Sequence, residues 1–302
     1  MTQKKANLIL ATVSMGWGTS YIFMKLLADT VSPMTMVSLR FGIAFIVMAL
    51  LFSKRIFPID RKTLKNSMIT GLLLLGIFMF LSIGMKSTTA STAGFLTSTT
   101  VILVPVLQAI INRKWPSTKI TLGVIIVSIG LSLLSLGDDF ALSAGALYCL
   151  AGALFYAVHI IVTNRFIKVA DPLKLGVYQL GFAAIYAAIS GIFLFGNLTL
   201  PQAGMDWLAI LGLALICSAY GFVMQPIAQK HTTPEMTGFL FALEPIFAAV
   251  FAFVFLQENI GLQGYVGALL VLCGVLTASM NTDKIGKAKR KQQVELKTKQ
   301  PV

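Results

Sequence analysis

An acidic residue, Glu244, lies in the middle of a long apolar segment and is followed directly by Pro245. At 1.5 Å per helical residue it would lie about 14 Å from the nearer end of that segment, close to the middle of a bilayer. A carboxyl group at that depth is costly and by default functional. Pro245 has no N–H, so the carbonyl of Phe241 loses its helical partner. This pattern predicts a polar site at a broken helix, in which Glu244 binds a ligand or carries a proton. The alternative is a buried carboxyl that clamps two helices together.

His159 is a second candidate for proton transfer, because imidazole titrates near neutral pH. At helical spacing it shares one face with Gly152, Tyr156 and Thr163. The alternative is a histidine that bonds a neighbouring helix or is reached by water from one side.

Aromatic and polar side chains at helical spacing predict the lining of a binding cavity. Trp17 and Tyr21 are i, i+4 neighbours on the first apolar segment, and their flat rings suit an aromatic, amphipathic or cationic ligand. They could equally be packing residues. Mixed polar faces follow on two other segments, with Thr97, Thr100, Val104 and Gln108 on one and Ser218, Phe222, Gln225 and Gln229 on the other. These faces line a pore or bond between helices.

Three further residues are candidates for such a site. Pro105 frees the carbonyl of Val101 and predicts a second broken helix. Arg40 and Lys25 lie near segment ends, where we expect both side chains to snorkel to the surface. Arg40 could instead pair with Asp29 or bind an anionic group.

The elements that must position these residues are membrane helices. The chain has 302 residues, of which 57% are apolar and only 12% charged. Soluble domains carry about 25% charged residues, so a soluble enzyme is excluded. A helix needs about 20 apolar residues to cross a bilayer. Ten such spans are predicted, at 7–28, 35–53, 66–85, 91–112, 119–137, 143–165, 174–196, 205–229, 235–256 and 262–280.

The net charge of +13 is an orientation signal. With ten crossings, 21 of the 24 Lys and Arg residues fall on the side of the two termini, and only Lys86 falls in a loop on the other. Basic residues accumulate on the cytoplasmic side, which places both termini there. The segment 283–302 is rich in Lys and predicts a disordered basic tail near anionic lipid headgroups. The charge does not indicate a nucleic-acid partner.

The two halves of the chain are similar to each other. The segment 86–96 matches 230–240 at an offset of 144 residues, which also carries Gly123 onto Gly267 and Gly130 onto Gly274. Nearer the start the offset is 139. We therefore predict an all-α membrane protein with two five-helix repeats, 1–138 and 139–282. Because five is odd, the second repeat is inverted, an architecture of secondary transporters.

These residues resemble the EamA-type transporters of the drug/metabolite transporter superfamily. Residues 238–258, GFLFALEPIFAAVFAFVFLQE, are similar to the ninth helix of such proteins, and 264–275, GYVGALLVLCGV, to the tenth. Trp17, Gly18, Tyr21 and Lys25 resemble the first helix, and Pro105 the fourth. The resemblance implies a ten-helix 5+5 carrier with cytoplasmic termini. It also implies a central cavity lined mainly by helices 1, 3, 4, 6, 8 and 9.

We therefore expect a secondary transporter of a bacterial plasma membrane that exports amino acids, related metabolites or drugs by alternating access. Its expected partners are a small-molecule substrate, the lipid bilayer and protons, and no cofactor or metal is expected. The substrate-binding candidates are Trp17, Tyr21, Thr97, Thr100, Tyr156, Gln225 and Glu244. Alternatives are an uptake permease, a lipid flippase and an intramembrane enzyme. The substrate, direction, coupling ion and oligomeric state stay open.

Overall fold

The computed structural model describes residues 1–88, 90–135, 144–195, 198, 200–256 and 261–279, and every regular element in these ranges is a helix. The boundary predicted at 138 and 139 and the basic tail 283–302 lie outside them. The first half contains α1 Gln3–Gly18, α2 Ser20–Leu27, α3 Pro33–Leu51, α4 Ser53–Ile56, α5 Arg61–Gly84, α6 Ala90–Ser98, α7 Thr100–Asn112 and α8 Thr118–Ser135. The second contains α9 Ala144–Phe166, α10 Pro172–Phe195, α11 Gly204–Gly212, the π-helix π1 Leu213–Tyr220, α12 Gly221–Gln229, α13 Pro234–Phe241, α14 Glu244–Leu256 and α15 Gly261–Ser279.

Six helical segments are long and apolar enough to cross a bilayer by length and composition: 33–51, 61–84, 93–112, 144–166, 172–193 and 204–229. Two shorter apolar helical stretches cover 118–133 and 265–277. The mean hydropathy of the six long segments matches that of membrane helices. The prediction of a helical membrane protein is therefore confirmed.

Helix starts follow the local sequence. Thr2, Ser32, Asp60 and Thr233 each accept a hydrogen bond from the backbone N–H three residues on, the usual N-cap arrangement. The N–H and hydroxyl of Thr63 both donate to Asp60, which holds the pKa of this exposed carboxyl below its usual range. Pro33 and Pro234 open α3 and α13, where a missing N–H costs nothing.

Three of the predicted spans are interrupted near their middle, the first of them at Thr19 between α1 and α2 and the other two at repeat-equivalent positions. Of these two interruptions, one separates α6 from α7 at Thr99, and the other separates α13 from α14 at Ala242 and Leu243. Thr99 and Leu243 are related by the 144-residue offset. Both are tightened turns, because the N–H groups of Thr99 and Leu243 donate to carbonyls three residues back.

The two prolines relate differently to these interruptions. Pro245 is the second residue of α14, directly after the break. The prediction of a helix break at Pro105 is wrong in position, because α7 continues through Pro105 and the helix is interrupted at Thr99 instead. The missing N–H of Pro105 is accommodated inside the helix, whereas the turn at Thr99 is reinforced by its hydroxyl, which donates to the carbonyl of Leu96 at 2.6 Å.

Glycines allow helices from the two halves to pack closely. Helix α8 packs on α15, where a β-carbon built on Gly130 would lie 2.7 Å from the carbonyl oxygen of Gly267. The converse contact is also present, because a β-carbon on Gly274 would lie 3.0 Å from the carbonyl oxygen of Gly123. The 144-residue offset exchanges these two contacts.

A second reciprocal contact joins α3 and α10. A β-carbon on Gly42 would meet that of Ala184 at 3.7 Å, and one on Gly181 would lie 3.0 Å from the ring of Phe45. The 139-residue offset exchanges Gly42 with Gly181 and Phe45 with Ala184. Helix α5 packs on α9 and α10, and α1 packs on α12, α13 and α14. Residues of α1, α5, α9, α12 and α14 line the candidate site.

Candidate functional site

A small cavity of about 20 Å³ lies where helices from both halves meet. That volume holds roughly one water, so in this conformation the cavity is closed to any organic substrate. It is lined by ten residues: Trp17, Ser20, Tyr21, Ile77, Phe78, Leu81, Thr97, Tyr156, Phe222 and Glu244. They come from the predicted spans 1, 3, 4, 6, 8 and 9, the helices that the family resemblance implies.

Glu244 is the acidic group of this cavity. It is the first residue of α14, directly after the interruption at Ala242 and Leu243, and only 6% of its surface is exposed. The interruption places the carboxyl at the positive N-terminal end of a helix that starts inside the protein. A carboxyl held there can accept a proton or bind the ammonium group of a ligand.

Two tyrosines give the same cavity unused hydrogen-bonding capacity. The hydroxyl oxygens of Tyr21 and Tyr156 are buried and make no hydrogen bond of standard geometry within the described residues, although that of Tyr21 lies beside Glu244 and Thr97. Thr97 adds a hydroxyl, which donates to the carbonyl of Ala93 at 2.8 Å. A buried hydroxyl without a partner is unfavourable, so the two phenols are ready to bond a polar ligand.

Trp17 lies at the centre of an aromatic cluster that forms one wall. Its ring is 4.7 Å from the rings of Phe222 and Phe241 and 5.8 Å from that of Tyr156, measured between centroids. Its indole Nε1 donates to the carbonyl of Cys217 in π1 at 2.7 Å. The indole is therefore fixed in position. The absence of a side chain at Gly221 makes room for it, since a β-carbon there would collide with Nε1.

Replacing Trp17 with Phe is expected to lower both substrate affinity and stability. The substitution leaves the carbonyl of Cys217 without its donor in a dry environment, which costs roughly 1–3 kcal/mol. The apparent Kd and the melting temperature in detergent measure the two effects. Replacing the exposed Trp115 with Phe is the matched control and should change neither. Unchanged affinity in the Trp17 variant would show that the indole only packs.

His159 does not line the cavity. It is fully buried, its Nε2 lies 3.0 Å from Oε1 of Gln179, and its Nδ1 has no hydrogen-bond partner in the part of the chain that the structure describes. Gln179 in turn donates to the carbonyl of Phe222, a cavity residue, at 2.9 Å. His159 is therefore connected to the cavity wall through Gln179 and by an edge contact with the Phe222 ring.

Two further candidates are buried beside the cavity without lining it. The hydroxyl of Thr100 donates to the carbonyl of Thr97 at 3.0 Å, within its own helical segment. Gln225 donates to Oε1 of Gln229 at 3.5 Å, and its own Oε1 has no partner. Both hydrogen bonds are local to one stretch of the chain, so neither joins two neighbouring helices, and the role of Thr100 and Gln225 in binding substrate stays a prediction.

The Arg40 side chain is not where the sequence analysis predicts it. Its side chain does not snorkel and does not pair with Asp29, which is exposed. It is fully buried, and its guanidinium carbon lies 4.2 Å from the ring centroid of Phe78. Lys25 is exposed, as expected. Arg40 turns inward because its face of α3 packs against π1, where Ser218 accepts a bond from Nε at 2.9 Å.

Half of the cavity lining has no signal in the sequence. Ser20, Ile77, Phe78, Leu81 and Phe222 are small or apolar residues on apolar helices, where no contrast marks the inward face. Only Phe222 was recognisable, as a member of the polar face that contains Gln225. As for metals, no group of three His, Cys, Asp or Glu within the described ranges could hold an ion.

The sequence matches the model of the EamA-like transporter family twice, over residues 4–136 and 143–280. The chain belongs to the EamA-like transporter family. It is therefore a multi-pass integral membrane protein of a family of transporters, with a small-molecule substrate and the lipid bilayer as its partners. The family membership confirms the resemblance seen in the sequence.

Curated relatives are transporters by name. An uncharacterized transporter of Archaeoglobus fulgidus is 27% identical over 278 residues, covering 91% of this chain and 86% of the relative. The uncharacterized transporter YyaM of Bacillus subtilis is 25% identical, covering 90% and 92%. The threonine/homoserine exporter RhtA of Salmonella typhimurium is 30% identical over 176 residues, covering 55% of each chain.

The fold is also similar to a solved structure. A crystal structure that is 19% identical in sequence superposes with a TM-score of 0.76, covering 93% of this chain and 99% of the other. At this identity the similarity shows a shared fold.

Proposed function

We propose that the protein is a secondary transporter that exports amino acids or related small metabolites by alternating access. The observation that carries the proposal is the closed cavity in which Glu244 meets Trp17, Tyr21 and Tyr156 at an interrupted helix. The cavity is too small for a substrate in this conformation and lies between helices of both halves. This arrangement suits a carrier that opens to one side at a time.

The proposed architecture is ten spans in two inverted five-helix repeats, 1–138 and 139–282. The reciprocal glycine contacts between α8 and α15 and between α3 and α10 support it, because a pseudo-two-fold axis predicts such exchange. The interruptions at Thr99 and Leu243 occupy repeat-equivalent positions, and the family model matches each half separately. The proposed location is a bacterial plasma membrane with both termini in the cytoplasm, and the distribution of basic residues supports that orientation.

The proposed cargo is a small amino acid. The relative RhtA is named for threonine and homoserine export, and its similarity covers about half of this chain. Glu244 offers a carboxylate to an ammonium group, and the surrounding aromatic rings stabilise the same cation. Uptake and lipid flipping use the same architecture. Catalysis is less favoured because Glu244 is the one general base among the lining residues, and no His, Lys or Cys of the lining accompanies it beside Ser20.

Counterflow in proteoliposomes tests the proposal. Vesicles preloaded with unlabelled L-threonine or L-homoserine should transiently accumulate the labelled compound well above protein-free vesicles. Amines and sugars form the rest of the panel, and a fluorescent phospholipid reports lipid flipping. Flipping of the lipid without exchange of any amino acid would overturn the proposal in favour of a flippase.

A further inference from the structure

Arg40 is a buried cation with unused hydrogen-bonding capacity. Its side chain is fully buried in a part of the protein that is otherwise apolar. Nε donates to Ser218, and Nη1 has only the thioether sulfur of Met24 at 3.9 Å. Nη2 has no hydrogen-bond partner within the described residues, and Glu244 attracts the guanidinium through space without a hydrogen bond to it.

A guanidinium in this state is costly for the fold. A guanidinium offers five N–H donors, and only one of those of Arg40 meets an oxygen. Burying a charge without an anionic partner is strongly unfavourable, although a cation–π contact returns part of the cost. An apolar side chain of similar size would pack here without that penalty. The arrangement is therefore explained best by an anion that binds Arg40 in another state of the protein.

Phe78 connects Arg40 to the cavity. Its ring lies under the guanidinium at 4.2 Å and is also part of the cavity lining. One aromatic ring thus separates the unpaired cation from the space that Glu244 faces. Because the cavity holds roughly one water, a substrate requires the lining to move. Rotation of the Phe78 side chain would join Arg40 to the enlarged cavity.

We propose that Arg40 is the carboxylate-binding residue of the transporter, covered by Phe78 in the closed conformation. This inference rests on the proposed function and names the substrate class as zwitterionic α-amino acids. The ammonium group of the substrate binds Glu244, and its carboxylate accepts hydrogen bonds from Nη1 and Nη2 of Arg40. Guanidinium and carboxylate match in planar, bidentate geometry, which gives strength as well as orientation. Arg40 and Glu244 are then both paired in the loaded state.

The test compares two ligands that differ only at the carboxylate. L-Threonine and threoninol share the ammonium, the side chain and the hydroxyl, but threoninol carries a CH2OH group in place of the carboxylate. Apparent Kd values for each are measured from the ligand-dependent melting temperature of the purified protein in detergent. Wild type should bind threonine at least about tenfold more tightly than threoninol, since hydrogen bonds between two charged groups are stronger than those to a neutral hydroxyl.

Arg40→Gln should bind threonine at least about tenfold more weakly and threoninol as wild type does, so that discrimination disappears. The exposed Arg165→Gln is the matched control and should keep it. If Arg40→Gln does not fold, the ratio is measured in Arg40→Lys, where the loss of bidentate geometry should reduce discrimination severalfold. A variant that keeps the wild-type ratio, or loses both ligands equally, would overturn the inference and leave the proposed function standing. Absence of threonine binding and of amino-acid counterflow in wild type would overturn the proposed function itself, and this inference with it.

Discussion

Replacing Glu244 with Gln is expected to abolish proton-driven accumulation of substrate while exchange continues. Glu244 is the carboxyl group in the cavity lining, and it lies at the start of a helix that begins inside the protein. A group there can be protonated from one side and release the proton to the other as the cavity reopens. The amide of Gln keeps the shape and an acceptor oxygen but carries no transferable proton. The variant should therefore lose the coupling of transport to protons while it still binds substrate.

The measurement is uptake of labelled L-threonine into proteoliposomes with and without an imposed pH gradient. Wild type should accumulate substrate against its gradient, whereas Glu244→Gln should stop at equal concentrations on both sides. Counterflow by the variant should stay within about tenfold of wild type, because Gln retains hydrogen bonding but loses the attraction to an ammonium group.

Two variants sharpen the experiment. Glu235→Gln, in the first turn of α13 and outside the cavity lining, is the matched carboxylate control and should couple normally. His159→Gln tests the second proton-transfer candidate, which contacts the cavity wall through Gln179 and the Phe222 ring. If Glu244→Gln still accumulates substrate and His159→Gln does not, the proton route runs through the histidine and the proposed role of Glu244 is wrong.

Much of the site was predictable because a polar or aromatic residue in mid-span stands out from its neighbours. Trp17, Tyr21, Thr97, Tyr156 and Glu244 line the cavity as placed, and their role in binding substrate stays a prediction. Each combines a position near the middle of a span with a side chain that hydrocarbon disfavours or that carries a polar tip. This reasoning identifies how deep a residue lies in the membrane, because the rise per residue of a helix converts sequence position directly into depth.

The rotation of a helix about its axis is much harder to read from the sequence. Phe78 and Arg40 illustrate the limit. The helix that carries Phe78 is apolar on all faces, so no periodic contrast distinguishes the side that meets the cavity. Arg40 is close enough to a span end to reach water, and only its packing against Ser218 of π1 and Phe78 shows that it points inward. Such orientation is fixed by tertiary contacts.

The same distinction applies to the fold. Composition and span length predicted a helical membrane protein, and the structure confirms it. The interruption at Thr99 was missed, since a proline is the usual sequence signal for a break and Pro105 lies inside α7. The turn at Thr99 depends on a hydroxyl–carbonyl bond that no propensity scale records. Its counterpart at Ala242 and Leu243 was easier to anticipate, because Pro245 lies directly beside it.

Substituting Gly130 or Gly274 with Ala is expected to destabilise the protein substantially and by similar amounts. A methyl group at Gly130 would lie 2.7 Å from the carbonyl oxygen of Gly267 and 2.8 Å from the amide nitrogen of Val271. One at Gly274 would lie 3.0 Å from the carbonyl oxygen of Gly123. Backbone atoms cannot move aside as a flexible side chain can, so α8 and α15 must separate. Overpacking of this kind costs typically 1–3 kcal/mol.

The melting temperature of each variant in detergent measures the effect. Gly204→Ala is the matched control, since a β-carbon there meets nothing within 4 Å. It should melt like wild type or slightly higher, because Ala restricts the unfolded chain. The reciprocal packing would be contradicted if Gly274→Ala had the melting temperature of Gly204→Ala while that of Gly130→Ala was lowered.

The double variant separates a shared interface from two independent contacts. Both glycines lie where α8 and α15 cross, and the repeat offset exchanges one contact with the other. Once the first methyl group has moved the helices apart, the second enters space that is already open. The combined loss should therefore be clearly smaller than the sum of the single losses, as expected for residues that share one backbone displacement. Additive losses would mean that each end of the crossing relaxes separately, and the pair α8 and α15 would then not act as one rigid contact between the proposed repeats.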